Sequence, residues 1–572
     1  MNVSEYIVDF FEKKGIKDFF GYQGTMIAYF IEAICGNENV RNHSCYNEQG
    51  AAFAAVGYAK AKQSAGVAYA TSGPGALNLV SGIADAYYDS VPVIFITGQL
   101  NTTEYTQIKE LRQQGFQQTD VVGVTAPISK YSVMITDPGM VEEELDKAWE
   151  IANSGRKGPV VLDIPMNIQK AEMPQICNNL QQKINVEDID FSLVNDILAM
   201  VNKAERPVLL LGNGILRNNR AKVHKLIDKL NIPVITSMPG IDLIPSSDVR
   251  NMGYLGAAYG FRAANIIAYK KADLILSLGS TMCRRQTGNP EKFAKDAVII
   301  RLDIDETELL RKVHQDEISY VCDVNEALDY FIDAKYEAVD RSKWLKVCEY
   351  CKAKTEEYND SCPERMPNAV IRTIGEVMDS DTVFAIDVGQ HQIWSAQSLP
   401  ITGNRRMMFS GGHGAMGFSL PAAIGAYYAG AGKPVCIAGD GAFQMNIQEL
   451  QWVVREQVPV TIFVMNNNVL GLIRQQQDDF FGSRYYGSSK EGGFDSPDFT
   501  AIAKAYGIEA YKVSSIDELV ELKKEINAMK PVLVEVMLPK DTKAYPKTYF
   551  GQEMYSQKPY IPEDLMEELL SM

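Results

Sequence analysis

The sequence has no long apolar stretch. Nowhere in its 572 residues is there an uninterrupted apolar run of about 18, so no membrane-spanning helix is expected. It is also short of positive charge, with 56 lysines and arginines against 72 aspartates and glutamates, a formal net charge of −16. That balance argues against nucleic acid, which needs a basic face to neutralise phosphates, and against an anionic membrane surface. It leaves small anionic ligands open, because a local site can be positive on an acidic protein. Histidines are few (His43, His224, His314, His391 and His413), and no two are neighbours. The cysteines are odd in number and scattered: Cys35, Cys45, Cys177, Cys283, Cys322, Cys348, Cys351, Cys362 and Cys436. Cys348 and Cys351 have CxxC spacing, but no second pair completes a zinc set. A reduced, cytoplasmic protein is the simplest expectation. The first twenty residues mix acids and lysines into an apolar pattern, as an amphipathic helix does and a signal peptide does not. No short-period repeat is present.

What is there is enough to fill several cores. Apolar residues make up 46% of the chain, and its length implies two to four domains. Three blocks alternate short β-branched runs with helical stretches, the pattern of parallel α/β domains. The expected fold class is therefore α/β, with three doubly wound parallel-sheet domains at 1–175, 190–335 and 360–545 and a C-terminal arm at 546–572. Expected strands include Gly66–Thr71, Val91–Thr97 and Pro159–Ile164 in the first block. Pro207–Leu211, Pro233–Ser237, Leu274–Leu278 and Val298–Asp303 lie in the second. Val383–Asp387, Pro434–Ala438, Val460–Met465 and Pro531–Val536 lie in the third. A polar stretch at 174–191 reads as a linker, and a charged helix over Lys343–Glu357 leads into the third block.

The most informative segment is PVCIAGDGAFQMN at 434–446, followed by VTIFVMNNNVLG at 460–471. A buried strand ends at Gly439-Asp440-Gly441 and a helix is expected just after, with another at Ile447–Glu456. Gly439, Gly441 and the small Ala442 let the backbone approach a phosphate, and a helix N-terminus turns its free N–H groups towards the anion. Asp440 offers a hard oxygen ligand for Mg²⁺. Asn467 can add an amide oxygen and Val469 its carbonyl. Both strand ends would lie at the carboxyl edge of one parallel sheet, where ligands bind. A bare GDG is weak evidence. With an Asn-Asn strand end at this spacing it matches the thiamine-diphosphate signature.

That cofactor reacts as a C2 carbanion and needs a carboxyl group at N1′ of its aminopyrimidine, held neutral in a largely apolar slot. Glu48 suits the role. It sits in CYNEQGAAFAAVGYAKA, between a short strand and a helix whose small residues would permit tight packing against another subunit. Taken alone, a glutamate at a helix start is more often a cap.

NEQGAAFAAVGYAKA and ATSGPGALNLVSGIADAYYDSVPVIFITGQ resemble the pyrimidine-binding domain of the acetolactate synthase family. DVGQHQIWSAQ at 387–397 and SGGHGAMGFSLPAAIGA at 410–426 resemble its diphosphate-binding domain. The resemblance covers essentially the whole chain, densely in the first and third blocks and thinly in the second. It implies that Glu48 activates N1′ and that Pro74 and Asn78 contact the cofactor. It places Gly389, Gln390 and His391 beside the diphosphate, Gly414 at the 4′-amine, and Met416 as the apolar wedge beneath the cofactor. Asp440, Asn467 and the Val469 carbonyl become the metal ligands, and Phe116 and Gln117 pocket residues near the substrate. It further implies a homodimer or homotetramer, Glu48 coming from one subunit and the metal motif from its partner. The expected reaction decarboxylates a 2-keto acid, most simply pyruvate, and passes the two-carbon unit to a carbonyl acceptor.

Four departures fall on the substrate side. Where the family has GYPGG, this chain has Gly21-Tyr22-Gln23-Gly24-Thr25. Met166 stands for a lysine, Thr281 for an arginine and Gln476 for a tryptophan. Gln23, Thr25 and Gln476 can hydrogen-bond a larger, hydroxylated acceptor, so a carboligase acting on an acceptor such as a keto-sugar derivative is expected. The alternatives are an ordinary acetolactate synthase, a 2-keto acid decarboxylase, and a non-catalytic scaffold paralogue. The decarboxylase would ordinarily use an adjacent histidine pair, which is missing. The scaffold should have lost Glu48, Asp440 or Asn467, all of which are kept. The second block resembles the family's flavin domain. Arg156 matches a flavin contact, whereas Thr281 removes another, so FAD is left open. Arg405-Arg406 is read as a solvated basic turn.

Overall fold

The computed structural model describes residues 1–106, 108, 110–174, 190–549 and 551–572. Most of the stretch read as a linker, 175–189, lies outside the described residues. Three six-stranded sheets follow one another along the chain, and every pairing within them is parallel. The first holds β1 (Asp18–Gly21), β2 (Arg41–Ser44), β3 (Gly66–Ala70), β4 (Val93–Gln99), β5 (Tyr131–Met134) and β6 (Val160–Pro165), in the order β2-β1-β3-β4-β6-β5. The second holds β7 (Pro207–Leu211), β8 (Val234–Thr236), β9 (Asn251–Tyr254), β10 (Leu274–Leu278), β11 (Val298–Asp303) and β12 (Glu317–Val321), in the order β12-β11-β10-β7-β8-β9. The third holds β13 (Val383–Ile386), β14 (Arg406–Phe409), β15 (Val435–Gly439), β16 (Thr461–Asn466), β17 (Glu509–Val513) and β18 (Val532–Met537), in the order β14-β13-β15-β16-β18-β17. The central strands β3, β4, β7, β10, β15 and β16 are buried throughout, because helices cover both faces. The α/β class with three doubly wound domains is what the β-branched runs specified.

The first and third sheets share one core. Its seam is the Glu48–Lys62 helix against the Ser419–Tyr428 helix. A Cβ at Gly57 would stand 2.2 Å from the Ala422 carbonyl, and one at Gly425 would stand 1.9 Å from that of Ala54. The small residues of the first helix were expected to face another subunit. Within the chain they seat it on the third domain, since only glycine and alanine let two helix backbones come this close.

Several local expectations change. The helix after Gly441 is broken into a turn over Asp440–Phe443, a 3-10 segment over Gln444–Glu449 and a helix over Leu450–Arg455. The break is at Asn446 (φ −134°, ψ 31°), whose amide reaches the Gly417 carbonyl at 2.8 Å and Gln49 Oε1 at 3.2 Å. Arg405 is not solvated. It is buried and donates to the carbonyls of Pro400, Gly375, Met378 and Asp379, while Arg406 pairs with Asp242 at 3.0 Å. Cys348 and Cys351 are core residues of the Ser342–Asp360 helix, and burial pushes both thiols up. The C-terminal arm is ordered. Arg262 donates to the carbonyls of Gln557 and Pro559, and Met554, Ile561 and Leu569 join the core of the second domain. No described helix is long and apolar enough to cross a membrane.

Candidate active site

Two half-sites form at carboxyl edges of parallel sheets, where strand ends leave backbone groups free and loops converge. The first is at the edge of the first sheet. Glu48 opens its helix after the Asn47 cap and is 8% exposed. Asn78, one turn into the Pro74–Tyr88 helix, donates through Nδ2 to Glu48 Oε2 at 2.9 Å. A Cβ at Gly75 would stand 3.0 Å from Glu48 Oε1, so glycine is what leaves that oxygen approachable. The backbone before Glu48 is held by Glu449 of the third domain, which accepts the Tyr46 N–H at 3.1 Å and the Asn47 N–H at 3.0 Å. Burial pushes the Glu449 carboxyl up to about 7. Sequence reasoning missed Glu449, because nothing local distinguishes it from any glutamate in a helix.

The same edge carries the expected substrate residues. Gln23 and Thr25 are exposed after β1, and Gly24 between them packs on Thr71, whose Cβ would be 2.4 Å from a Cβ there. Met166 is half-buried after β6. Phe116 is 79% exposed, and Gln117 takes φ +63° with its carbonyl 2.5 Å from a Cβ placed on Gly73. Pro74 and Asn78 are exposed at the start of their helix.

The second half-site is at the edge of the third sheet. Asp440 follows β15, 4% exposed. Its Oδ1 accepts the Gly441 N–H at 2.9 Å, its Oδ2 accepts Ser496 Oγ at 2.8 Å, and the Val469 backbone donates to it as well. Burial pushes its carboxyl up to about 6. Asn467 follows β16 and spends its Nδ2 on Gln390 Oε1 at 3.1 Å and Thr542 Oγ1 at 3.0 Å. That orientation leaves Asn467 Oδ1 free of protein donors among the described residues. Asp440, Asn467 and Val469 are thus one buried cluster containing a single carboxylate, a set of hard oxygens suited to Mg²⁺ beside a phosphate. Gln390 and Gln475 fix Thr542 and Ala544 behind it: Gln390 donates to Gln475 at 3.3 Å and to the Thr542 carbonyl at 2.8 Å, and the Ala544 N–H donates to Gln475 at 2.8 Å. Gln475 is buried, whereas the neighbouring Gln476 is exposed.

The residues present fit a bound diphosphate. His391, in the first turn of the Gln390–Ser398 helix, lies against Gly389 and Gly439. A Cβ on either would fall within 2.9 Å of its ring. Burial lowers its pKa to about 3, and its Nε2 is buried without a partner. A neighbouring anion would raise that pKa and satisfy the nitrogen. Gly441 is hemmed by Leu470, 2.4 Å from a Cβ there, and Ala442 is buried. Gly414 takes φ +71° with nothing within 4 Å of a Cβ, an open approach to its backbone. Met416 beside it is half-buried. Asp387, which sequence reasoning passed over, orders this loop by accepting the N–H groups of Val388, Gly417 and Ser419 at 2.9 Å.

Within the chain no hydrogen bond or ion pair joins Glu48 to Asp440, Asn467 or His391 among the described residues. A cavity of about 370 Å³ lies on the second domain against the other two. Its polar lining includes Ser237 Oγ and Gln286 Nε2, both buried without partners, and Asp303 at the end of β11. Arg156 at its mouth is already engaged by Asp305 at 2.8 Å and Glu308 at 2.9 Å.

Comparison with known proteins matches three family models. They are the N-terminal TPP binding domain of thiamine pyrophosphate enzymes over residues 1–124, their central domain over 194–331 and their C-terminal TPP binding domain over 387–536. The acetolactate synthase large subunit of Lactococcus lactis is 34% identical over 550 residues, 95% of this chain and 93% of that one. The large subunit of acetolactate synthase isozyme 1 of Escherichia coli is 34% identical over 547 residues, 95% of each. A probable acetolactate synthase large subunit of Methanocaldococcus jannaschii is 34% identical over 559 residues, 94% of this chain and 92% of that one.

Proposed function

Because the chain belongs to the thiamine pyrophosphate enzymes of the acetolactate synthase-like family, as a thiamine-diphosphate-dependent carboligase, we propose that it decarboxylates a 2-keto acid, pyruvate first, and transfers the two-carbon unit to a carbonyl acceptor larger and more polar than pyruvate. Thiamine diphosphate supplies the reactive carbon and the electron sink that this chemistry requires. The chain's own residues do the rest. Asp440, Asn467 and the Val469 carbonyl would hold Mg²⁺ on the diphosphate. Glu48 would keep a proton at N1′ of the pyrimidine through the oxygen that Asn78 does not occupy. His391 and the Gly389, Gly439 and Gly441 backbone would seat the anion. As the family resemblance implies, a homodimer or homotetramer would complete each site from two subunits, Glu48 from one and the metal cluster from its partner.

The observation that carries the acceptor assignment is the rim. Gln23, Thr25 and Gln476 are exposed amide and hydroxyl groups at the two carboxyl edges, and Met166 adds no charge. Such groups reward a hydroxylated acceptor, a keto-sugar derivative among them, and gain little from a second pyruvate. The second reading, acetolactate formation from two pyruvates, is favoured by the extent of identity to acetolactate synthases. The central cavity would hold FAD as a structural group, with the Ser237 hydroxyl, the Gln286 amide and Asp303 as its polar contacts.

A mass-spectrometric product screen tests this reading. Protein with thiamine diphosphate, Mg²⁺ and pyruvate is incubated with and without polyhydroxylated aldehydes and ketones. A branched adduct formed faster than acetolactate is the expected outcome. Acetolactate as the sole product under every condition establishes the second reading.

A further inference from the structure

Five arginines are buried: Arg262, Arg301, Arg341, Arg365 and Arg405. Four have their acceptors. Arg262, Arg341 and Arg405 donate to backbone carbonyls, and Arg301 pairs with Glu317 at 2.9 Å. Arg365 is different. It is 9% exposed, and among the described residues its guanidinium makes no hydrogen bond or ion pair; its Nε is buried without a partner, as are those of Arg301, Arg341 and Arg405, but those three have their other nitrogens engaged. A buried guanidinium without an acceptor is costly, and arginine does not escape by losing its proton. Burial lowers its pKa only to about 10, so it stays charged at neutral pH.

Arg365 lines a cavity of about 310 Å³ between the second and third domains. Lys352 and Arg372 line the same space. Asp360 and Glu356 favour the Arg365 charge at longer range, but neither pairs with it: Asp360 is bound to Arg372 at 2.8 Å, and Glu356 and Glu376 are exposed. The remaining wall mixes apolar residues, Phe261, Leu399 and Pro400 among them, with polar ones such as Asn251, Gln397 and Ser398. The cavity is separate from both half-sites, but its floor includes Gln397 and Ser398, the far end of the helix that begins at Gln390 and His391.

We propose that this interdomain cavity binds a small organic oxyanion, a carboxylate or phosphate seated on Arg365 with its apolar body against Phe261 and Leu399. The anion would complete the one unpaired buried guanidinium and bear on the helix that carries His391. The charge-assisted hydrogen bonds it would form are worth a factor of about 10 to 100 in affinity.

The test uses the full-length enzyme with thiamine diphosphate and Mg²⁺. Thermal unfolding is followed against inorganic phosphate and against aliphatic carboxylates from acetate to hexanoate, with chloride holding ionic strength constant. A saturable rise in Tm is expected. Saturation by phosphate alone identifies a phosphate-bearing ligand; affinity rising along the carboxylate series identifies a carboxylate with an apolar body. Arg365→Met should weaken the effect at least about tenfold. Equal stabilisation of wild type and Arg365→Met, or no saturable shift beyond chloride, overturns the proposal. Should Arg365→Met fail to fold, a wild-type crystal soaked in selenate decides. An anomalous peak at Arg365 supports the site, and peaks only elsewhere overturn it.

Discussion

Asn78 Nδ2 donates to Glu48 Oε2 at 2.9 Å, joining the first turns of two helices that follow different strands. The bond fixes which oxygen of the carboxyl is left for the cofactor. Glu48→Gln should lower turnover by about 10²–10⁴-fold, the usual worth of a positioned proton donor, while calorimetry still records cofactor binding. Asn78→Leu should lower it by only about tenfold, since it removes the orienting bond and keeps the acid. Full activity in Glu48→Gln would remove the assignment.

The metal cluster predicts a different phenotype. Asp440→Ala protein stripped with a chelator should regain neither cofactor binding nor activity when Mg²⁺ and thiamine diphosphate are restored. Asn467→Ala should regain both, at a higher Mg²⁺ concentration. Tryptophan fluorescence during titration of Mg²⁺ reads both outcomes.

Gln476 is exposed while Gln475 and Gln477 on either side are buried. Gln476→Trp should therefore leave the fold intact and shift the products. The ratio of acceptor adduct to acetolactate, measured by mass spectrometry, should fall about tenfold or more.

His43 joins the first and third domains. It lies between Asp18 at 2.9 Å and Glu456 at 2.7 Å, with Arg41 on Asp18, Arg455 and Tyr428 on Glu456, and the Phe20 and Tyr428 rings against it. Burial opposes its charge, but the bonds to Asp18 and Glu456 outweigh burial and raise its pKa; Glu456 is held down at about 2. A raised histidine pKa stabilises the fold fully below the unfolded value of about 6.5, and that contribution is lost as pH rises through the folded value. Wild-type Tm should thus decline on the alkaline side, and His43→Gln should flatten that limb. An unchanged pH profile of Tm in the variant would refute the charged clamp.

The interdomain seam predicts a purely structural cost. Gly57→Ala would put a methyl 2.2 Å from the Ala422 carbonyl in a helix pair that cannot separate without opening a shared core. It should destabilise the protein by about 1–3 kcal/mol, seen in thermal unfolding.

The sequence by itself determined the three parallel sheets, because short apolar runs such as Pro207–Leu211 and Leu274–Leu278, recurring between helical stretches, fit strands buried on both faces. It also singled out Glu48, Asp440 and Asn467 as candidates, not from a helix-start glutamate or a bare GDG alone but from the longer family-like segments around them. Outer strands such as Asn251–Tyr254 and Glu317–Val321 were less legible, since their half-buried patterns carry weaker apolar signals. Tertiary structure alone decided the rest. Glu449 matters because it reaches the backbone before Glu48 from some 400 residues away. Arg405 turned from an apparent surface turn into a buried hub because the carbonyls of Gly375, Met378 and Asp379, 26 to 30 residues away, converge on it with that of Pro400, and Arg365 is the exception because no carbonyl among the described residues accepts from its guanidinium. A side chain's acceptors are set by which segments the fold brings near, and one-dimensional spacing holds no record of that.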